Sequence, residues 1–284
     1  MNNTQLITIA NDDLRLIDMW AREHAKNTER YYRTDVQEFI AFTQKTIREV
    51  TLPDIQEYED SLMGLKQGSK ARKINSVKSL LTFAYETGYT QFNVGKAHKA
   101  PKVRSELAQR ILTEEQVIIM IARTEKPRDH AMLRLMHHCG LRVSEVVSIQ
   151  WRDLVERHEG GQVTICGKGE KVRNILIAQD MWNELMRLRP LEYDDDEYVF
   201  QSRKGHGRID ESQVNRIVSD AAERAGIKGN VSPHWLRHAH ASHSLDRGAN
   251  INLVRDTLGH ASLATTGKYT HVRPNASSSQ FLPL

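Results

Sequence analysis

The sequence predicts a mainly α-helical chain with one small antiparallel β-sheet in its C-terminal domain, an α+β fold. Apolar residues follow helical spacing from about residue 12 to residue 88, with no strand pattern. β-branched residues then appear in two short runs, at 163–165 and 172–177, on either side of Gly167-Lys168-Gly169-Glu170, and this predicts a strand, a tight turn and a strand. The length of 284 residues favours about two domains.

The first domain is predicted at residues 1–93 and consists of helices. One helix follows Asn27 as far as Phe42, and another begins at Leu52-Pro53, because proline suits the first turn of a helix. A third runs over residues 69–85. Its predicted exposed side carries three cations that are candidate DNA contacts, namely Lys70, Arg72 and Lys73.

Residues 94–110 are predicted to be a basic linker. Helical periodicity lapses there, Pro101 interrupts the chain, and lysine and arginine are concentrated. A solvated loop explains this stretch as well as DNA contact does. A basic helix followed by a basic linker favours a clamp around a polyanion, because neutralising DNA phosphates requires charge spread along the duplex.

The second domain is predicted at residues 111–272. Thr113 and Gln116 form a capping-box pattern at the start of a helix, and Gly140 is a C-terminal stop. After the strand pair, helices are predicted near residues 181–188 and after Asp210, where Gln213 again completes a capping-box pattern.

Three helices are predicted near the chain end. Ser232 and Pro233 form the cap and first residue of the first, and Asn250 and Gly259 bound the second. Ser262 offers a cap for the helix that leads to Tyr269. His260 is therefore expected in a turn, with Tyr269 on the following helix.

Composition permits nucleic-acid binding without demonstrating it. The chain has 40 Lys+Arg against 36 Asp+Glu, a net charge of +4 and a pI near 9.0. Cys139 and Cys166 have no spacing typical of a disulfide framework or a thiolate zinc site. No apolar run approaches the roughly 20 residues of a membrane span, and no signal peptide is recognisable, so we expect a cytoplasmic protein.

Candidate catalytic residues cluster around a late tyrosine. A tyrosine hydroxyl, with an ordinary pKa of about 10, becomes a useful nucleophile only where cations and hydrogen-bond donors favour developing negative charge. His234 and Arg237 lie three residues apart on one helix face, and an arginine beside a helix start suits a phosphate. Taken alone, each has an ordinary interpretation: a capping histidine, a surface arginine, a packing tyrosine.

Two more basic residues fit the same chemistry. Arg142 lies between predicted helices, with Glu145 as its candidate partner, and its planar guanidinium could bracket phosphate oxygens. Lys168 lies at the predicted hairpin tip and could act as a general acid, although a lysine between two glycines is usually a solvated turn residue.

Taken together, these motifs resemble the signature of tyrosine recombinases, the phage-integrase and Xer-type family. They occur in the family's order: Gly-Leu-Arg142-x-Ser-Glu, Gly-Lys168-Gly, His234-x-x-Arg237, Leu-Gly-His260 and Tyr269-Thr-His-Val. The resemblance covers residues 112–272, and the first helices are similar to the family's helical core-binding, SAM-like domain. The start of that similarity, about 25 residues from Met1, favours a compact Xer-like or simple integrase architecture.

The resemblance implies a role for each catalytic position. Arg142 and Arg237 would hold the scissile phosphate, and His234 and His260 would assist proton transfer. Lys168 would protonate the leaving 5′ oxygen, and Tyr269 would form a 3′-phosphotyrosyl link. This chemistry uses no metal or nucleotide cofactor.

The resemblance also implies partners. They are double-stranded DNA with specific recombination sites, further copies of the chain in a tetramer on two DNA sites, and a related recombinase or accessory protein. We expect the protein to be associated with the nucleoid and not with a membrane. The tail, residues 273–284, is predicted to dock on a neighbouring protomer through Phe281 and Leu282.

Three alternatives remain open. A type IB topoisomerase-like enzyme would use a similar tyrosine and cationic pocket to relax supercoils, and a DNA-binding module would use the same surface without catalysis. A metal protein could be built on four histidines of one helix, although no carboxylate or thiolate stands at a zinc-like spacing to complete the set. The four histidines are His234, His238, His240 and His243.

Overall fold

The structure is a computed structural model that describes residues 3–101, 110–167, 171–202, 205 and 207–270. The chain divides into two compact units, Met1–Ser105 and Glu106–Leu284. The predicted fold class, mainly helical with a small antiparallel sheet, is confirmed. Within the described ranges, no helix is both long and apolar enough to cross a membrane.

The first unit has a core formed by its helices. The described helices are α1 (Asn3–Arg22), α2 (Lys26–Thr43), α3 (Leu52–Ser61), α4 (Gln67–Glu86) and α5 (Val94–Ala97). Trp20, Phe39, Ile55, Ile74 and Leu80 are almost completely buried. Their helical spacing accounts for how well the pattern predicted α2, α3 and α4, since each of these helices buries one apolar face.

The first residues of the predicted linker pack in the first unit. Gly95 of α5 lies so close to α4 that a Cβ there would approach Lys78 O to 2.7 Å. His98 is buried, and its Nε2 lies 2.6 Å from Glu59 Oε2. Within the predicted linker, residues 102–109 lie outside the described residues.

The three candidate DNA contacts on α4 are only partly exposed, and each has a carboxylate partner. Arg72 and Lys73 both contact Asp35 of α2, which is 1% exposed. Lys70 Nζ lies 3.4 Å from Glu59 Oε1. The apolar periodicity predicted the helix. It did not predict these ion pairs, because the acidic partners lie on other helices.

The second unit places a three-stranded sheet among helices. Its elements are α6 (Glu114–Ala122), α7 (Pro127–Cys139), α8 (Val143–Val146), a 3-10 turn (Trp151–Asp153), β1 (Leu154–Arg157), β2 (Gly160–Cys166), β3 (Val172–Ile177), α9 (Gln179–Met186), α10 (Glu211–Arg224), α11 (Pro233–Asp246), α12 (Ile251–Leu258) and α13 (Leu263–Thr270). The strands pair antiparallel in the order β1-β2-β3. Strand β1 was not predicted, because three of its four residues are exposed and it shows no apolar alternation.

Two helix starts were predicted as capping boxes, and one of them is present in the structure. Thr113 and Gln116 form the expected reciprocal capping box of α6. Asp210 does cap α10, but its side chain accepts a hydrogen bond from Ser212 N, so the capping box predicted with Gln213 is wrong. An aspartate reaches the N2 amide easily, and this leaves no role for a side chain at N3.

Gly140 ends α7 in a left-handed conformation in a crowded place, which gives a stability prediction. Its φ is +59°, and a Cβ there would lie 2.6 Å from Leu258 Cδ2 and 2.7 Å from His240 Cδ2. Gly226 has a similar φ of +74° with nothing within 4 Å, so it is a matched control. We expect Gly226→Ala to lower the free energy of unfolding by about 1 kcal/mol through backbone strain alone. Gly140→Ala should lower it by about 3 kcal/mol, since overpacking adds to the strain.

Urea unfolding of the two variants measures this difference. Equal losses would show that the neighbours of Gly140 move aside without cost.

Candidate active site

Helix α11 presents three basic residues of the site on one face. Pro233 occupies its first turn as predicted, whereas Ser232, although at the cap position, makes no side-chain capping bond. His234, Arg237 and His238 follow at i, i+3 and i+4, the spacing that brings side chains together on a helix. The rings of His234 and His238 are stacked, with centroids 6.3 Å apart.

Arg237 joins the ends of two other helices. It is 4% exposed, and its guanidinium donates to Gly140 O at 2.5 Å and to Leu258 O at 2.6 Å. Both carbonyls lie at helix C-termini, where the negative end of the helix dipole favours a cation. Burial and the nearby Arg142 lower the pKa of Arg237 to about 10, so it remains protonated at neutral pH.

Tyr269 is buried beside this arginine. It lies on α13, is 7% exposed, and packs in an apolar cluster with Ile111, Ala241, Val254 and Leu258. Its hydroxyl lies 2.7 Å from His238 Nδ1. Burial raises the pKa of Tyr269, and Arg237 acts in the opposite direction. The phenol is therefore protonated at neutral pH, and its deprotonation needs help.

His260 lies near the ring of Tyr269. It follows Gly259, which ends α12 with φ +63°, and its ring is nearly parallel to that of Tyr269, with centroids 6.5 Å apart. His260 Nδ1 lies 2.9 Å from Thr266 Oγ1, which orients the ring. Burial, followed by Arg237 and Arg142, lowers the pKa of His260 to about 4, so it is neutral at pH 7.

Glu145 links two arginines at the edge of the site. Its Oε1 accepts from Arg142 at 2.8 Å, and its Oε1 and Oε2 accept from Arg173 at 3.0 and 2.8 Å. Burial alone would raise the pKa of Glu145, but the bonds from Arg173 and Arg142 outweigh it, and the pKa lies below its ordinary value. Arg142 remains partly exposed and can still reach a ligand.

Arg173 was not identified from the sequence, although strand parity offered a signal. Ile175 and Ile177 of β3 face the core, and Arg173 shares their face. An arginine at an inward position of a strand requires a partner. Besides its paired bonds to Glu145, it donates from Nε to Thr257 O at 2.8 Å, so it connects the sheet to the end of α12.

His238 was considered only as part of a histidine set and was not assigned to the site. Its position four residues after His234 was the available signal. The sequence does not show that α13 packs on α11 and so brings the Tyr269 hydroxyl to His238 Nδ1.

Lys168 lies outside the described residues. The structure describes the base of its hairpin, where Gly167 N donates to Lys171 O at 2.9 Å.

The contacts of the α11 histidines do not favour the metal-site alternative, although His137 Nε2 lies 3.3 Å from His243 Nδ1. His240 Nδ1 contacts His137 O at 2.8 Å, and His243 Nε2 contacts Leu112 O at 2.9 Å. His238 contacts Tyr269. Among the described residues, no three or more His, Cys, Asp and Glu side chains are placed to hold a metal ion.

The buried Glu145 pair predicts a pH-dependent contribution to stability. Glu145→Gln removes the charge that faces Arg173, and leaving an arginine unpaired in this setting lowers the free energy of unfolding by about 3 kcal/mol at neutral pH. Because the pKa of Glu145 in the folded chain lies below the ordinary 4.5, the contribution is complete above pH 4.5. It is lost as the pH falls through the folded pKa.

Urea unfolding at several pH values compares this variant with Glu114→Gln. Glu114 also pairs with an arginine, Arg247, but on the surface, and we expect little effect there. A difference between Glu145→Gln and the parent that stayed constant down to pH 3 would contradict this account of the pair.

Comparison with known proteins first defines the class of fold. The structure is similar to the crystal structure of XerA recombinase, at 28% identity over 97% of this chain and 99% of that chain, with a TM-score of 0.53. It is also similar to a lambda integrase dimer bound to a COC′ core site, with a TM-score of 0.73 over 93% and 96% of the two chains. At 16% identity the second likeness concerns the fold alone.

Sequence comparison defines the family. Residues 110–276 match the phage integrase family, and residues 16–88 match the phage integrase N-terminal SAM-like domain. The chain therefore belongs to the phage integrase family of site-specific recombinases, enzymes that break and rejoin DNA. The predicted resemblance is confirmed.

Two relatives are similar over most of their length. The tyrosine recombinase XerC of Thermodesulfovibrio yellowstonii is 30% identical over 87% of this chain and 86% of the relative. That of Corynebacterium efficiens is 36% identical over 86% of this chain and 81% of the relative.

Proposed function

We propose that this recombinase cleaves double-stranded DNA with Tyr269, holds the broken strand as a 3′-phosphotyrosine, and rejoins it to a different strand. The observation that carries the proposal is the set of groups around the buried Tyr269: its hydroxyl contacts His238, its ring lies nearly parallel to that of His260, and the charge of Arg237 acts on its pKa. A tyrosine held this way gains what an isolated tyrosine lacks, namely cations for the developing charge and neutral imidazoles for the proton.

Arg237 and Arg142 hold the scissile phosphate. Arginine has five N–H groups, and the two described bonds of Arg237 to backbone carbonyls use two of them. The others fit the non-bridging oxygens of a phosphodiester. Since the carbonyls fix the guanidinium before DNA arrives, the site needs little reorganisation as charge builds up on phosphorus.

The reaction exchanges one phosphodiester for another. Tyr269 Oη bonds to phosphorus as the bond from phosphorus to O5′ breaks, and the leaving oxygen takes a proton that we assign to Lys168. His234 and His260, neutral at pH 7 through burial and nearby arginines that lower their pKa values, donate hydrogen bonds to the phosphate. The phosphotyrosine retains the energy of the broken bond, so rejoining requires neither nucleotide nor metal cofactor.

The substrate is DNA carrying specific recombination sites, and the working assembly is a tetramer on two sites. Similar proteins of this fold have been solved on DNA, among them a lambda integrase tetramer bound to a Holliday junction and XerH bound to difH. The helical unit, with Lys70, Arg72 and Lys73, contributes DNA contacts once these side chains exchange carboxylates for phosphates. We place the enzyme in the cytoplasm, on the nucleoid, with a related recombinase or accessory protein as a further partner.

The tail, outside the described residues, is proposed to join neighbouring protomers. Removing residues 275–284, or changing Phe281 and Leu282 to alanine, should weaken synapsis of two DNA sites by about tenfold or more, because two apolar side chains would no longer be buried. Native gels of two-site complexes measure this. Changing Ser277 and Ser278 to alanine is the control. Unchanged tetramer formation after truncation would contradict the docking.

A trapped intermediate tests the proposed function. The full chain is incubated with a nicked substrate. Cleavage releases a short fragment that carries the new 5′-hydroxyl, and this fragment diffuses away, which prevents rejoining. We expect a covalent protein–DNA adduct, and peptide mass spectrometry should place the nucleotide on Tyr269. DNA attached to any other residue, or attached through a 5′ phosphate, would overturn the proposal.

A further inference from the structure

His238 contacts the reacting atom of Tyr269 in the described site. Its Nδ1 lies 2.7 Å from Tyr269 Oη, within the range of a good hydrogen bond, and the two rings are tilted with centroids 5.7 Å apart. The two histidines that the resemblance assigns to proton transfer have other positions. His260 is held by Thr266 and stacks along the tyrosine ring, while His234 stacks on His238.

The environment keeps His238 able to accept a proton. Burial, followed by the charges of His234, Arg237 and Arg110, lowers its pKa to about 4, so it is neutral at pH 7. The titratable and charged groups around it are His234 and Arg237 on its own helix, Arg110, Tyr269 on α13, and His260, whose own pKa His238 helps to lower. A neutral imidazole with its proton on Nε2 has a free lone pair on Nδ1, the atom that faces the phenol.

Proton transfer becomes favourable only as the reaction proceeds. In the resting site the raised pKa of Tyr269 and the lowered pKa of His238 both oppose it. As Oη bonds to phosphorus the phenol becomes strongly acidic, and the dianionic phosphorane favours a cationic imidazole beside it. A group already hydrogen-bonded to Oη accepts the proton without any rearrangement.

We propose that His238 is the general base of the cleavage step and, in reverse, the general acid of rejoining. As the bond from Oη to phosphorus forms and the bond from phosphorus to O5′ breaks, the phenolic proton moves to His238 Nδ1. During rejoining the same proton returns to Tyr269 as it leaves phosphorus. This inference rests on Tyr269 being the nucleophile.

The principal test uses His238→Asn, because the asparagine amide oxygen can accept the hydrogen bond from the phenol in place of Nδ1 but cannot act as a base. Single-turnover adduct formation on the nicked substrate should slow by about 10²-fold or more, while DNA affinity stays unchanged. His240→Asn is the matched control. His240 lies on the same helix and contacts His137 O, so cleavage should stay near the parental rate.

The pH profile separates a base from a structural contact. In the parent protein the cleavage rate should level off once His238 is neutral in the DNA complex. In His238→Asn it should keep rising about tenfold per pH unit below the pKa of Tyr269, because only ionised phenol then reacts.

Chemical rescue completes the test. A fluorinated tyrosine at position 269 ionises near neutral pH, so it should restore most of the rate lost in His238→Asn and accelerate the parent little. An unchanged rate in His238→Asn would overturn the inference, as would a loss without rescue. Faster cleavage would also overturn it, by showing that the hydrogen bond restrains Tyr269. An adduct on another residue in the parent would instead overturn the proposed nucleophile, so the two failures are distinguishable.

Discussion

Replacing Tyr269 by phenylalanine is expected to eliminate the covalent DNA adduct, with a cleavage rate lower by about 10⁴-fold or more. The substitution removes one oxygen atom and keeps the ring, which packs among Ile111, Val254 and Leu258. The lost hydrogen bond to His238 costs about 1 kcal/mol, so the variant should fold. The large loss in rate therefore measures nucleophilic chemistry and not packing.

Tyr193→Phe is a suitable control for this experiment. Its hydroxyl also has one hydrogen-bond partner, Arg189, but it lies in an exposed part of the second unit. Adduct yield, DNA affinity and thermal unfolding are measured for both variants. Adduct retained by Tyr269→Phe would remove Tyr269 from the mechanism.

Changes at Arg237 are expected to separate charge from geometry. Arg237→Lys keeps a cation but cannot span Gly140 O and Leu258 O while also pairing with a phosphate, and cleavage should fall by about 10²- to 10³-fold. Arg237→Ala removes both donors from buried carbonyls. We expect it to abolish detectable cleavage and to lower the free energy of unfolding by about 3 kcal/mol.

Arg123→Lys provides the comparison for Arg237→Lys. Arg123 also donates to a backbone carbonyl, that of Arg224, but near the surface. Its replacement should leave cleavage near the parental rate. Parental cleavage by Arg237→Lys would show that a point charge is enough and that the fork geometry has no role.

Local signals in the sequence predicted much of the site. Pro233, Gly259 and Ser262 punctuate the last three helices, so the placement of His234, His260 and Tyr269 on successive elements followed from helix starts and stops. The structure describes these elements as predicted. The catalytic roles remain predictions until the variants are tested.

The sequence patterns did not predict contacts between elements that lie far apart in the chain. The hydrogen bond from Tyr269 to His238 depends on how α13 packs on α11, and no periodicity contains that information. The same reason explains Lys70, Arg72 and Lys73, because helical spacing does not reveal which acidic residues another helix brings nearby. Arg173 could have been identified from the sequence, because its inward position on β3 requires a buried partner.

The arrangement of Arg142, Arg173 and Arg237 around one carboxylate, Glu145, has a consequence for the protein without DNA. Their mutual repulsion persists in the folded chain and contributes to the lowered pKa of Arg237. In the proposed complex a phosphodiester would place negative charge beside these arginines, so by linkage it would stabilise the fold that binds it. DNA binding and the stability of the fold are therefore coupled through these arginines.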